Sequence, residues 1–541
     1  MLNLMLEPTD DRANPSFRDA ASCRQWLAKL QLTNIQVAHS LLLTEVNEFN
    51  RLPLHGHERL NTLELLRDTV HYVQEEYARK LIAKAIPLNE HDLTNFFAIL
   101  QLWHAMSLGY QRCLKALIDG DKQLNKQGAM LCQRALQYVG LAIFQHLRTG
   151  YEVDGKLWQQ LHSFFSFAES RKLLSEKVTD PLNKVEPRGT CQGTYLRILL
   201  IANTHLDELS RIQLNMLDYW LARWADLLNV ARSYTSSKGD APPLAFDLDG
   251  SPQGLQLAKK VKPGESVRYL AMVPLSKQIR VKTILLQQGK KPVQADLGEF
   301  DDSRACIELL TLLHQSWCED QDMRYVARIN SERHTQLCQK FTNIHSLLNG
   351  KLPQQPVASA QDNAEARKQI ETFGRVLQES PAQKPANVVT VLEDWRVDNE
   401  NIQGAQLTRE STTGCQLSRR QLVASRSEEG ETLVLGVVAW LKVMRSGQLR
   451  IGLRYFPGSV EPVSINATGS DKTELSSAAT AFLLHAVPEL NIQPSLIVPH
   501  AWFKPDRLIE MAGSKSEKQD LKIGFCLEHG SDFDRVSFKQ N

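Results

Sequence analysis

The hydrophobic period changes along this chain, and that change limits what it can fold into. From about residue 15 to residue 235, apolar side chains recur at spacings of three and four, the period of helices with one buried face. Leu63, Leu66, Val70, Val73, Tyr77 and Leu81 form one such stripe, with Glu64, Arg67, Asp68, Gln74, Glu75 and Arg79 between them. Thr94–Ile118 is denser in Phe, Leu, Ile and Trp and reads as a central helix. Further helices are expected over Ala129–Leu147, around Leu157–Phe167, and as one long helix over Tyr195–Leu228. No internal repeat stands out, so the pattern predicts a bundle or an irregular solenoid.

The period shifts after the linker-like stretch SYTSSKGDAPP at Ser233–Pro243. Leu244–Leu248, Ser266–Val273 and Ile279–Gln287 are short runs with β-branched residues and read as strands. A helix at Arg304–Gln315 and a helical segment ending at Asn349-Gly350 follow. Residues 351–388 are rich in Pro, Ala and Gln and read as a linker, with a short helix around Ile370–Leu377. Strands are then expected at Val388–Leu392, Gly404–Thr408, Leu422–Arg426, Thr432–Lys442, Gln448–Tyr455 and Pro462–Asn466, with turns at Glu429-Gly430 and Ser446-Gly447. Such closely spaced short strands suggest a small antiparallel barrel. A helix at Ser476–His485 and strands at Ser495–Val498 and Leu521–Leu527 complete the reading. The expectation is an α+β multi-domain chain: a helical bundle (1–235), a mixed β/α domain (236–350), a linker (351–388) and a barrel with a C-terminal extension (389–541).

Charge narrows the function classes. Lys and Arg total 63 against 61 Asp and Glu, a net charge of +2, which gives no electrostatic reason to expect general binding to DNA, RNA or a membrane surface. The nine cysteines are scattered and never form C-x-x-C, which argues against a zinc ribbon or a disulfide framework. Reduced thiols and an N-terminus without a basic region point to the cytoplasm. The longest apolar run, Leu433–Leu441, falls far short of the roughly 20 residues that span a bilayer.

Few motifs suggest catalysis. Leu244–Ser251, LAFDLDGS, resembles the first motif of haloacid-dehalogenase phosphatases, with Asp247 as nucleophile and Asp249 as acid/base. That fold needs a parallel sheet of alternating strands and helices, and the surrounding pattern lacks one; a turn between strands is the favoured reading. His55 and His57 form H-x-H without an acidic or cysteine partner nearby and read as exposed polar residues. G-x-S-x-G, H-E-x-x-H and the P-loop pattern are absent. No catalytic residue, metal or cofactor is expected.

Two segments suggest a ligand. Met323–Arg333, MRYVARINSER, holds Arg324 and Arg328 as R-x-x-x-R; Trp395–Leu407, WRVDNENIQGAQL, holds Asn399, Asn401 and Gly404 as N-x-N-x-x-G. Together with the strand block they resemble PilZ domains, small β-barrels that bind cyclic di-GMP. The resemblance implies that Arg324 and Arg328 grip phosphates and guanine faces, and that Asn399, Asn401 and Gly404 meet a guanine edge. Guanidinium forks suit phosphate oxygens and guanine O6/N7, and a glycine lets a flat base approach the backbone. Asn401 stands where the family carries serine, and a long Pro/Gln-rich stretch separates Arg328 from Asn399. The resemblance thus implies a bacterial, cyclic di-GMP-responsive regulator or adaptor, with output from the helical domain to a protein partner. Two alternatives stand beside it: a scaffold with a degenerate barrel, and a phosphohydrolase using Asp247 and Asp249.

Overall fold

A computed structural model describes the chain except residues 1, 3, 5, 83, 184–185, 205–208, 210, 251–253, 321–328, 332, 351–391, 428–432, 469–477, 501, 514–517 and 541. The chain divides into two compact units, Met1–Tyr325 and Val326–Asn541. Among the described residues, no helix is long and apolar enough to cross a membrane.

The first unit opens with α1 (Ala20–Leu27), α2 (Ile35–Arg51), α3 (Gly56–Ala78), α4 (Glu90–Ile118), α5 (Gly128–Arg148) and α6 (Gly155–Ser170). The Asn89 side chain caps the start of α4 by accepting from the Asp92 N–H, and Glu90 and Asp92 complement the helix dipole there. As its density of apolar residues predicts, α4 is central: it packs on α2, α3 and α5 and buries Phe96, Ile99, Trp103, Met106 and Tyr110. A two-strand pair follows, β1 (Val178–Thr179) and β2 (Arg188–Gly189), then α7 (Cys191–Ala202) and α8 (Arg211–Trp224). The single helix expected over Tyr195–Leu228 is therefore two, because Asn203 caps α7.

The rest of this unit is mixed. β3 (Val230–Ala231), β4 (Leu244–Asp247), β5 (Gln256–Leu257) and β6 (Val267–Leu270) form an antiparallel sheet in the order β3-β6-β4-β5. α9 (Val273–Gln287) and α10 (Ser303–Cys318) follow. Ile279–Gln287, expected as a strand, is the second half of α9. Its β-branched residues suggested extension, but Leu275, Ile279, Lys282 and Leu286 are buried at helical spacing.

The second unit is two closed barrels. β7 (Ile329–Asn330), β8 (His334–Gln339), β9 (Leu392–Asn401), β10 (Gly404–Arg409), β11 (Leu422–Ser427), β12 (Leu433–Val443) and β13 (Leu449–Tyr455) belong to the first. Its ladder runs β10-β13-β12-β11-β8-β9, and β9 pairs back onto β10 to close it. Leu449, Ile451 and Leu453 line one buried face of β13, while Arg450 and Arg454 take the other. β14 (Val460–Ala467), β15 (Ala478–Leu484), β16 (Ser495–Pro499), β17 (Leu508–Gly513), β18 (Gln519–His529) and β19 (Phe533–Gln540) close a second antiparallel barrel in the order β14-β15-β16-β19-β18-β17.

These pairings differ from the expected divisions in two ways. β8 pairs with β9 and β11, so residues 334–339 join the barrel rather than a domain ending at 350. The expected C-terminal extension is itself a barrel. The stretch Ser476–His485, expected as a helix, contains β15. Ala481 and Leu483 face the core of the second barrel, whereas Phe482 and Leu484 enter a seam with Leu422, Ala424, Leu435 and Val437 of the first. A strand buried on both faces loses the apolar/polar alternation by which strands are read. α11 (Phe341–Leu348) contributes Ile344 to that seam. The helix expected around Ile370–Leu377 and the turn at Glu429-Gly430 lie outside the described residues.

Candidate functional site

The outer face of the first barrel at β7, β9 and β10 carries Asn399, with Asn401 and Gly404 on the adjoining hairpin. Arg324 and Arg328 lie outside the described residues. The chain resumes at Ile329, which pairs with Glu400, while Asn330 pairs with Asn399. The residues that follow the first motif therefore pair with the strand of the second, despite their distance in sequence.

A β-bulge shapes this face. Gln406 pairs with Asn399 but Leu407 with Val397, so Asp398 is the extra residue on β9. Without that bulge, the pleat would turn Asn399 to the side opposite Asp398; with it, both join Arg396 on the outward face. Bulges commonly re-aim side chains in this way beside functional sites. Cross-strand partners share a face, so one outward row runs Asn330, Asn399, Gln406, Gly452 and Trp440. A neighbouring row runs His334, Arg396, Thr408, Arg450 and Lys442. Amide groups thus lie beside a basic row, with an indole at one end.

Asp398 sits between the rows. Its carboxylate accepts from Thr408 Oγ1 at 2.7 Å, Gln406 Nε2 at 3.0 Å and Arg396 Nε at 3.2 Å, and Arg450 Nε is 3.7 Å away. Burial would raise its pKa, but the Thr408, Gln406 and Arg396 hydrogen bonds outweigh this and hold it below the usual carboxylate value. Arg396 also donates to Glu410 at 2.8 Å, and Arg333 is paired with Glu400. An open pocket here is lined by Asn330, Ser331, His334, Arg396 and Asp398. The Arg396 guanidinium in this pocket is paired with Asp398 and Glu410, so an anion entering it would compete with those carboxylates.

Asn399, Asn401 and Gly404, the three described site candidates, come together on the β9–β10 hairpin. Asn401 Oδ1 accepts from the N–H groups of Gln403 at 3.0 Å and Gly404 at 3.1 Å, so it builds the turn. Gly404 is required by close approach: a Cβ there would lie 2.0 Å from the Leu453 carbonyl oxygen. Sequence reading missed Asn330, His334, Arg396, Asp398, Gln406 and Arg450. The alternating charges of Arg396, Asp398 and Glu400 were the available signal, but the bulge that groups them is a property of register.

The other sequence candidates are spent locally. Asp247 Oδ1 accepts from the Asp249 N–H at 3.1 Å in a tight turn, and β4 lies in an antiparallel sheet, not the parallel one a haloacid-dehalogenase site needs. His57 shares a hydrogen bond with Asn61 at 3.2 Å, on the first turns of α3. The helical unit has its own groove, walled in part by Glu75, Arg79, Phe144, Arg148, Arg197 and Tyr219. There Arg148 is paired with Glu75 at 3.5 Å and Arg197 with Asp218.

Comparison with known proteins adds a finding at each end of the chain. Residues 21–233 match the family model of the N-terminal domain of the cyclic-di-GMP receptor FimW, and residues 463–541 match that of the FimW C-terminal β-barrel domain. Both matches support one receptor family. The cyclic-di-GMP receptor FimW of Pseudomonas aeruginosa is 24% identical over 551 aligned positions, which cover 93% of this chain and 88% of that protein. The FimW-type C-terminal barrel corresponds to the second barrel, β14 to β19; the first barrel, which carries the PilZ resemblance, lies between the matched segments.

Proposed function

We propose that this chain is a cyclic di-GMP-responsive regulator that holds the dinucleotide on the outer face of its first barrel. Arg324 and Arg328 grip phosphate oxygens and guanine faces, Asn399 and the Asn401–Gly404 turn meet a guanine edge, and the helical unit passes the signal to a protein partner. The observation that carries this reading is the pairing of Ile329 and Asn330 with Glu400 and Asn399, which joins the strand after R-x-x-x-R to the second motif. The receptor named in the comparison supports the choice of ligand. Arginine forks and side-chain amides supply both kinds of contact that a cyclic dinucleotide requires. The output follows if ligand binds one arrangement of the arginine segment better than another, shifting the population between two states.

Titration of the full chain with fluorescent cyclic di-GMP tests this. Binding at micromolar concentration or tighter is expected. Arg324→Ala and Arg328→Ala should each weaken it by about 10- to 100-fold, the worth of a charge-assisted hydrogen bond. No binding in that range, or arginine variants that bind like the parent, would sink the proposal.

One observation favours a second reading, a scaffold with a degenerate barrel: the Asn401 oxygen is committed to the hairpin turn. A scaffold would capture the same partners with and without nucleotide, and with or without the two arginines.

A further inference from the structure

We propose that the second barrel carries a Zn²⁺ site formed by Cys526, His529 and Asp534, with His500 closing the fourth position. Cys526 and His529 lie on β18 and Asp534 on β19, where His529 and Asp534 are direct cross-strand partners. Cys526 Sγ is 3.4 Å from His529 Nδ1, and His529 Nδ1 is 2.7 Å from Asp534 Oδ1. The three ligand atoms lie within 4.8 Å of one another. His500 Nδ1 comes within 3.9 Å of the same Asp534 oxygen from the turn after β16.

The geometry fits a small tetrahedral ion. With Zn–S near 2.3 Å and Zn–N near 2.0 Å, a sulfur-to-nitrogen edge is about 3.5 Å, close to the observed separation. An N-to-O edge is about 3.4 Å, so the His529–Asp534 hydrogen bond opens by under an ångström when the ion replaces its proton. Thiolate, imidazole and carboxylate donors together select Zn²⁺ over Mg²⁺ or Ca²⁺, which take oxygen ligands. Asp534 is 3% exposed, and its described partners are the two imidazoles, not an arginine or lysine. Cys526, His529 and Asp534 thus hold three positions of a four-coordinate shell, and His500 lies nearest the fourth.

The register explains how a strand presents these groups. β18 shifts register between Ile523 and Cys526 and again between Cys526 and Glu528, and these bulges bring Cys526 to the same end as His529. The turn between the two strands reaches the first barrel: the Ser531 N–H donates to the Arg420 carbonyl at 3.0 Å, and Asp532 accepts from the Leu422 N–H at 2.9 Å. An ion at this site would brace the turn that joins the barrels.

The test is Co²⁺ titration of the chelator-treated full chain, read by the near-ultraviolet thiolate-to-cobalt band and reversed by Zn²⁺. One equivalent should produce the band. Cys526→Ser should abolish it, which separates this thiol from the other cysteines. His529→Ala and His500→Ala alter side chains that are 66% and 60% exposed, so both should fold normally, as thermal melting of the metal-free proteins would verify. Each should weaken Co²⁺ binding by at least about tenfold. No band in the parent, a band that survives Cys526→Ser, or full affinity in His529→Ala would overturn the site; full affinity in His500→Ala would overturn its four-ligand form.

Discussion

At Gly404 and Asp398, adjacent problems on one hairpin are solved by different means. Gly404 is a matter of space, because any side chain would collide with the Leu453 carbonyl on β13. Gly404→Ala should therefore force the strands apart and cost about 1–3 kcal/mol, measurable by urea unfolding. Asp398 is a matter of charge. It gives the buried Thr408 hydroxyl an acceptor and holds Arg396 beside Arg450. Asp398→Ala should leave Thr408 unsatisfied at a cost of about 1–3 kcal/mol. The folded pKa of Asp398 is depressed, so its contribution is present above the unfolded value of about 3.9 and is lost as pH falls through the folded value. Stability measured between neutral pH and the acid limb should fall less steeply for the alanine variant; equal slopes would contradict this account. Gly404 and Asn399 were legible in sequence because a motif names them. Asp398 was not, since nothing in one strand reveals that its partner is a residue short.

Among whole elements, legibility tracked how many faces are buried. The α3 stripe was plain because polar residues separate its apolar positions, and α4 was plain from its apolar density over a length no strand reaches. β15 was misread because one face serves the barrel core and the other the seam, and α9 because its β-branched residues mask a helical spacing. Charge can also fix an element that hydrophobicity does not. The short β1–β2 pair is tied to the bundle through Asp180, which meets Arg67 at 2.8 Å and Arg134 at 3.2 Å, while Arg134 also meets Glu64 at 3.1 Å. Burial would raise the Asp180 pKa, but Arg134 and Arg67 outweigh it and hold the group ionised. Asp180→Ala would leave Arg67 and Arg134 sharing one carboxylate, that of Glu64, and should destabilise the helical unit by about 1–3 kcal/mol, the cost of buried donors left unsatisfied. In the parent this contribution should be full above the ordinary carboxylate range and lost as pH drops through the depressed value. Chemical unfolding at neutral and acidic pH, followed by helical circular dichroism, checks both statements. A variant as stable as the parent at neutral pH would show that the network contributes nothing net.

The two barrels bear on how the whole molecule can carry a signal. Sequence periodicity anticipated one barrel but not two, because closure depends on which edges meet, and a break between Tyr455 and Val460 looks like any other turn. The seam makes the barrels interdependent: Phe482 of the second barrel is fully buried against α11 and the outer side of the first. Its ring centroid lies 4.6 Å from that of Phe341, with the two planes tilted by 45°. Phe482→Ala should cost about 3–5 kcal/mol through lost burial and the cavity left behind. The more telling measurement is where that loss appears. If the seam couples the barrels into one cooperative unit, amide exchange of Leu449–Tyr455 in the first barrel and Gln519–Ile523 in the second should report similar opening free energies, and Phe482→Ala should lower both. If only the second-barrel amides lose protection, the barrels open independently. A ligand on the first barrel would then have no route through this seam to the second. Coupled loss would mean that whatever orders the β9–β10 hairpin also stabilises β14 to β19, and that a metal bracing the β18–β19 turn should slow exchange in the first barrel as well.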